Sequence, residues 1–248
     1  MLKHRKIKHL TVNALAVFIS TFCMAQNPII RHVFTADPAP IVYRDTVFLF
    51  TSHDTASTSA TNYKMPDWRL FSSTDMVTWK DYGSILSPAT FSWATGDAYA
   101  AQCIERNGKF YWYVSTFHKK DSVSSGGAAI GVAVADHPAG PYKDLLGKAL
   151  IINEMTTDMK YGWDDIDPTV MIDDNGQAYM FWGNGSCKWV KLKENMIELD
   201  GPIILPLQDP QVFALVRLEG GTIAWPNGAD LAPEYLAKRL VQQVEALT

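Results

Sequence analysis

Short apolar runs, each interrupted by a polar turn, recur along most of the chain. In three segments an apolar stretch is followed by a polar turn and then by an aromatic-rich run. They are DPAPIVYRDTVFLFTS from Asp37, AAQCIERNGKFYWYVS from Ala100 and DPTVMIDDNGQAYMFWGN from Asp167. The second and third turns contain an Asn-Gly pair, which favours a tight hairpin because both residues tolerate positive φ. The pattern therefore predicts a β-hairpin in each segment.

Further strand candidates lie between these hairpins. RLFSSTDMVTWKDYG follows the first hairpin and IGVAVADHPAGPYKD follows the second. The three hairpins recur at a step of about 65 residues with about four strands per step, which is the make-up of a propeller blade. No sustained helical spacing of apolar residues appears between Asn27 and Leu218. We therefore predict an all-β propeller in which the first strand of each blade lies nearest the axis. A sandwich or jelly roll is the structural alternative.

The first 25 residues depart from this pattern. Basic residues from Lys3 to Lys8 precede the apolar run LTVNALAVFISTFCMA, and small residues follow near its end. This order is typical of a secretory signal peptide, so we predict a signal peptide over 1–25 and a secreted or periplasmic protein. Cys23 fits a lipidation site less well, because Phe22 stands where a small residue is expected.

Composition and charge narrow the classes of partner. The chain has 248 residues, is 47% hydrophobic and 19% charged, and carries a formal net charge of −4. This composition is that of a folded globular protein. Without a cluster of Lys and Arg after the first ten residues, we expect no nucleic-acid partner, and no membrane partner once the signal peptide is cleaved.

Two cysteines, Cys103 and Cys187, remain in the predicted mature chain. No CxxC or Cys/His spacing predicts a metal site. We predict that both are small buried apolar side chains, and a disulfide between them is the alternative.

Asp37 and Asp167 are the main candidates for chemistry. A single Asp-Pro pair commonly starts a strand or a turn. Two copies at equivalent places in two blades would instead converge at one end of the central channel. Neighbouring carboxylates repel each other, which separates their pKa values and suits them to different proton-transfer roles.

Aromatic and polar residues near the predicted strand ends fit a sugar-sized ligand. Planar rings near these strand ends offer stacking faces, although most are expected in the core: Trp68, Trp93, Tyr99, Trp163 and Trp182. The candidate substrate-binding residues are His53, Asp54, Tyr99 and Trp163.

Together these segments resemble glycoside hydrolase family 43, and within it the arabinoxylan arabinofuranohydrolases, from about residue 27 to 202. The resemblance implies a five-bladed β-propeller that acts by inversion on arabinofuranosyl or xylosyl linkages of plant hemicellulose such as arabinoxylan. It also implies that Asp37 is the general base and that Asp167 tunes the pKa of the general acid and orients it. No cofactor is implied, and a structural calcium ion is compatible with the resemblance.

The resemblance weakens where the family has its general acid, a glutamate in the next blade. At that place the sequence predicts one hairpin, formed by VFALVRL, a turn at EGG and TIAWPNG. Glu219 is the only glutamate in this hairpin, and it falls at the turn instead of at a strand start. A helical spacing follows, and the segment resembles the end of a small bacterial domain family of unknown function. We therefore predict a truncated propeller of about three blades over 26–205 and an unrelated hairpin and helix over 206–248.

Three functions remain open at this stage. The first is a hydrolase that is inactive if the general acid is missing. The second is a non-catalytic propeller that binds plant polysaccharides or oligosaccharides. A sialidase-like enzyme ranks behind both, because no cluster of arginines lies at the predicted strand starts.

Overall fold

The computed structural model describes residues 28–55, 64–156, 163–184 and 186–204. The chain divides after Val33 into two compact units, and every strand belongs to the second. In the described part of the first unit, Arg31 Nε donates to the Pro28 carbonyl oxygen at 3.0 Å. The predicted signal peptide and the predicted tail over 206–248 lie outside the described residues.

In the part of the chain that the structure describes, thirteen strands form three antiparallel sheets. The first sheet contains, in order, β1 (Phe34–Tyr43), β2 (Thr46–Asp54), β3 (Trp68–Ser73) and β4 (Lys80–Leu86). The second contains β5 (Ala94–Thr95), β6 (Ala101–Arg106), β7 (Lys109–His118), β8 (Gly127–Ala135), β9 (Lys143–Asp144) and β10 (Ile151–Ile152). The third contains β11 (Thr169–Ile172), β12 (Ala178–Trp182) and β13 (Lys188–Leu192). Within the described ranges, two short 3-10 helices, Pro88–Thr90 and Asn153–Met155, join these sheets.

The three predicted hairpins are confirmed as β1–β2, β6–β7 and β11–β12. Their turns differ. Asn107 (φ 54°) and Gly108 (φ 74°) both adopt positive φ between β6 and β7, as a two-residue type I′ turn requires. In the third hairpin only Gly176 (φ 85°) does so within a longer turn, and its N–H donates to the Asp173 carbonyl oxygen at 3.0 Å.

The second sheet is buried on both faces, which explains why β7 contains the unbroken apolar run Phe110–Val114. Its side chains alternate between two cores. Phe110, Trp112 and Val114 pack towards the first sheet, whereas Tyr111 and Tyr113 pack towards the third. Each fully buried aromatic side chain contributes on the order of 2 kcal/mol to folding. A strand buried on both faces lacks the polar alternation of a half-exposed strand.

The arrangement is that of successive propeller blades. The strands β1, β6 and β11 each begin a sheet or its central hairpin, and β6 contacts both β1 and β11. The predicted all-β fold with first strands side by side is therefore confirmed. The described residues hold three blade sheets of the five that the resemblance implied.

The cysteines depart from one part of the prediction. Cys103 is buried beside the Tyr142 hydroxyl group, as expected, and burial raises the pKa of its thiol to about 12. Cys187 is exposed, so its prediction as a buried side chain was wrong. It lies in the loop that precedes β13, outside the apolar alternation of the strand. Both thiols are free, so the alternative of a disulfide between them is also excluded in this structure.

Within the described ranges, none of the helices has the length and apolar character that crossing a membrane would need.

Candidate active site

A cleft of about 370 Å³ opens where the first strands of the three blades meet. Three short segments line it, one from each blade: residues 37–40, 100–102 and 167–169. The two predicted catalytic aspartates, Asp37 and Asp167, thus face a common cleft although 129 other residues separate them in the chain. Repetition of one blade pattern brings them together, since each stands at the same place in its own hairpin.

Both aspartates adopt a backbone conformation that side chains other than glycine seldom adopt. Asp37 has φ 51° and Asp167 has φ 58°, and each precedes a proline. Aspartate enters this left-handed region at lower cost than most residues, because its short polar side chain can bond locally. At Asp37 the register between β1 and β2 also shifts between Ala36 and Ala39. Such bulges redirect side chains and are frequent beside active sites.

The carboxylate of Asp37 is held by a neighbouring strand. Ser52, in β2, is almost fully buried, and its hydroxyl group donates to Asp37 Oδ2 at 2.7 Å. The same hydroxyl oxygen lies 3.3 Å from the Ala36 carbonyl oxygen. A hydroxyl group has one proton to donate, and the shorter contact favours the carboxylate. One oxygen of Asp37 is therefore fixed, and the residue remains open to the cleft.

Asp167 differs in its electrostatics. The residue is open to solvent on the cleft side, but partial burial of the carboxyl group raises its pKa. The negative charge of Asp37 raises that pKa further. Among the described residues, no donor forms a hydrogen bond to the Asp167 carboxylate. The two carboxyl groups thus influence each other, and Asp167 retains a proton to higher pH than an ordinary aspartate.

The sequence did not single out Gln102, which also lines the cleft. Its side-chain oxygen Oε1 accepts a hydrogen bond from the Thr169 hydroxyl group at 2.9 Å and another from the Val170 backbone N–H. Both donors follow Asp167 closely in the chain. The available sequence signal was weak: Gln102 is the polar residue in the otherwise apolar start AAQCI of the second repeat.

The four predicted substrate-binding residues are not among those that line the cleft. His53 and Asp54 end β2, and His53 Nδ1 lies 2.9 Å from Asp67 Oδ1. Tyr99 directly precedes the lining segment. Its ring meets Phe117 edge-on at 5.6 Å, and burial, followed by the charge of Asp97, raises the pKa of its hydroxyl group. Their role in substrate binding stays a prediction.

Most of the tryptophans singled out from the sequence lie in the core, as expected. Trp68, Trp93 and Trp182 are buried in the core, whereas Trp163 is 50% exposed. The Trp68 indole N–H donates to the Tyr99 carbonyl oxygen at 2.6 Å, which ties the first blade to the segment that enters the cleft. This bond supports the position of Tyr99 without assigning it a function.

No third carboxylate stands among the described residues that line the cleft, which holds Asp37 and Asp167 alone of that type. Glu219, the weak candidate for the general acid, lies outside the described residues. Over the same described ranges, no group of three or more His, Cys, Asp and Glu side chains is close enough to hold a metal ion. The structural calcium ion stays a prediction.

Comparison with known proteins assigns the family. The profile of glycosyl hydrolases family 43 matches residues 25–229. The chain belongs to glycosyl hydrolase family 43. The family 43 match includes the first part of the predicted tail, whose separate domain assignment stays a prediction.

Two curated relatives illustrate the likeness. The chain is 34% identical over 180 residues to an arabinoxylan arabinofuranohydrolase of Paenibacillus polymyxa, a match that covers 64% of this chain and 26% of that protein. It is 31% identical over 168 residues to xylosidase/arabinosidase 43A of Humicola insolens, covering 63% and 45%. This family 43 chain therefore spans less than half the length of either relative.

Solved structures agree with the fold. An α-L-arabinofuranosidase from Clostridium thermocellum is 34% identical, with a TM-score of 0.57 over 72% of this chain and 58% of that one. A family 43 β-xylosidase/α-arabinofuranosidase from a compost metagenome has a TM-score of 0.61 over 72% of this chain and 61% of that one. At 23% identity the second likeness concerns the fold alone. The predicted propeller fold is thus confirmed.

Proposed function

We propose that this chain carries the general base of an inverting glycoside hydrolase, in a site that binds arabinofuranosyl or xylosyl units of plant hemicellulose. The observation that carries the proposal is the pair Asp37 and Asp167 in one cleft, at equivalent places in two blades. The names of the family 43 relatives, arabinoxylan arabinofuranohydrolase and xylosidase/arabinosidase, supply the substrate class.

Asp37 serves as the general base. Inversion requires a carboxylate that takes a proton from a water molecule as that water attacks the anomeric carbon. Asp37 is open to the cleft, and the bond from Ser52 fixes one of its oxygens and leaves the other for water.

Asp167 acts through the general acid. Inverting enzymes place the acid about 6.5–9.5 Å from the base, so that water fits between them. A negative charge beside the acid raises its pKa, which keeps the acid protonated near neutral pH. Asp167 supplies such a charge once it ionises, and its hydrogen-bonding oxygens can orient the acid.

The acid itself determines how active the polypeptide is. General acid catalysis contributes roughly 10²–10⁴-fold when the leaving oxygen is a poor leaving group. We expect very weak or absent hydrolysis of ordinary arabinofuranosides and xylosides, because the described cleft contains no candidate for this role.

Leaving-group dependence provides the test. A 2,4-dinitrophenolate ion departs without a proton, so a site with its base but without its acid should hydrolyse 2,4-dinitrophenyl β-xyloside or α-arabinofuranoside and leave xylobiose intact. Proton NMR of the first-formed sugar should show the inverted anomer. Asp37→Asn should abolish this turnover, whereas Asp45→Asn, the same change in the exposed β1–β2 turn, should not.

Efficient cleavage of xylobiose that Glu219→Gln abolishes would identify Glu219 as the acid and contradict its low ranking. No turnover of either dinitrophenyl glycoside, with the folded protein confirmed by circular dichroism, would reject the catalytic proposal. Binding of xylotriose under those conditions would instead favour the non-catalytic carbohydrate-binding function. The lack of a third carboxylate among the described cleft residues favours that second candidate.

The predicted signal peptide would deliver this activity to the periplasm or the medium, where plant polysaccharide is met. Detection of the protein in the periplasmic or culture fraction, with a new N-terminus near Gln26, tests this part of the proposal.

A further inference from the structure

We propose that Gln102 is a positioning residue that sets the place of Asp167 by tying the start of β11 to β6. The inference rests on the proposed function of Asp167, but its geometric part stands independently of activity. Gln102 lines the cleft with both aspartates and is partly buried.

No backbone ladder joins β6 to β11. The two strands belong to different sheets, although they contact each other. Register within a sheet follows from backbone hydrogen bonds, whereas β6 and β11 lack such a ladder and depend on bonds that involve side chains. At the cleft, the described bonds between these two strands are the two that Gln102 accepts.

The two groups that donate to Gln102 lie close to Asp167 in the chain. Only Pro168 separates Thr169 from Asp167, and Val170 comes next. The ring of Pro168 limits rotation of the connecting backbone. Fixing the Thr169 hydroxyl group and the Val170 N–H therefore restricts where the Asp167 carboxyl group can lie. Val170 is buried, so its N–H would lack a partner without Gln102.

The contact with Val170 also fixes the orientation of the Gln102 amide group. A backbone N–H can only donate, so the atom of Gln102 that meets Val170 must be the oxygen. This contact settles the direction of the amide, and no described residue accepts a hydrogen bond from Nε2. The side-chain oxygen of Gln102 thus holds β11, and a glutamate at this position would keep an oxygen that accepts the same two bonds.

Two variants separate the bonds from the charge. Gln102→Met keeps the length of the side chain but removes the acceptor. Gln102→Glu keeps the acceptor but adds a negative charge beside Asp167. The matched control is Gln177→Met, which removes the two 2.9 Å bonds that Gln177 Nε2 donates to the carbonyl oxygens of Ala178 and Leu192, at the other end of the same sheet.

The readouts are amide hydrogen exchange at Val170 and the 13C-detected titration of the Asp167 carboxyl group, both measured on the full chain. Gln102→Met should speed exchange at Val170 roughly tenfold or more and lower the pKa of Asp167 towards its ordinary value, because a looser carboxyl group is better hydrated. Gln102→Glu should leave the exchange near that of the parent and raise the pKa of Asp167. Gln177→Met should change neither the exchange rate at Val170 nor the pKa of Asp167.

The proposal is overturned if Gln102→Met leaves both quantities unchanged, or if Gln177→Met shifts the Asp167 titration as much as Gln102→Met does. Turnover of dinitrophenyl glycosides is recorded in parallel. A parent protein without turnover would reject the proposed function, and the exchange and titration results would still decide the role of Gln102.

Discussion

The cleft has two corners, one formed at Asp37 and the other at Asp167. The two corners share their local sequence and backbone conformation but differ in the residues around them. Asp37 and Asp167 both precede proline and both have positive φ. Asp37 stands beside a complete four-stranded sheet, whose second strand supplies the Ser52 donor. Asp167 has no described donor, and its pKa is raised by burial and by Asp37. One repeated motif thus yields a carboxylate held by a hydrogen bond at one corner and a carboxyl group that retains its proton to higher pH at the other, because their neighbours differ.

The largest expected difference between the corners is in turnover of a substrate that needs no acid. Asp37→Asn should reduce hydrolysis of a 2,4-dinitrophenyl glycoside by roughly 10²-fold or more, because the base is lost. Asp167→Asn should change it only a few-fold, since Asp167 acts through the acid. Steady-state kinetics at neutral pH measure both. Equal losses in the two variants would remove the functional distinction between the corners.

The next difference is the hydrogen bond that only Asp37 has. Ser52→Ala should lower the free energy of unfolding by about 1.5 kcal/mol, because a bond to a carboxylate is lost, although water at the cleft softens that loss. Urea denaturation measures it. Ser72→Ala, in the next strand, removes a weaker 3.3 Å contact with the Tyr82 hydroxyl group and should cost less. Ser52→Ala should also be measured in the Asp37→Asn background. If it lowers the free energy of unfolding there by the same amount, the bond to Asp37 is not the source of the loss.

The backbone should behave alike at the two corners. At each position a glycine variant should be more stable to urea than the alanine variant by about 1 kcal/mol, because alanine enters the left-handed region at a cost and glycine does not. The matched pair at Val42, an extended and exposed position of β1, should show the opposite order. A glycine advantage at one aspartate only would mean that the two backbones are not equivalent.

The smallest expected effect is the pH dependence of stability at Asp167. A carboxyl group with a raised folded pKa binds its proton more tightly in the folded state, so its ionisation costs stability above that pKa. Asp167→Asn should therefore raise the melting temperature slightly at pH 7, and the gain should fade as the pH drops below the raised pKa towards about 4. Thermal melts across this range measure it. A gain that is constant with pH would point to a cause other than the charge.

Several features of the fold were predictable because they depend on local patterns. The three hairpins followed from apolar runs separated by Asn-Gly or Arg-Asp turns, and their side-by-side placement followed from the repeat. Cys187 was mispredicted because the apolar character of a cysteine does not reveal whether it falls in a strand or in the loop before one. Gln102 was missed because a single polar residue in an apolar run gives no sign of a bond to a strand some 67 positions away.

The sequence by itself determined the hairpins, the blade repeat and the presence of two Asp-Pro starts, since these arise from neighbours along the chain. The repeat also predicted that Asp37 and Asp167 converge, and the two residues do line one cleft. Tertiary structure alone decided that Ser52 holds one of them and that Gln102 ties down the strand start beside the other. The physical reason is that pKa values and hydrogen bonds depend on distances through space. Those distances are set only when the blades pack against one another.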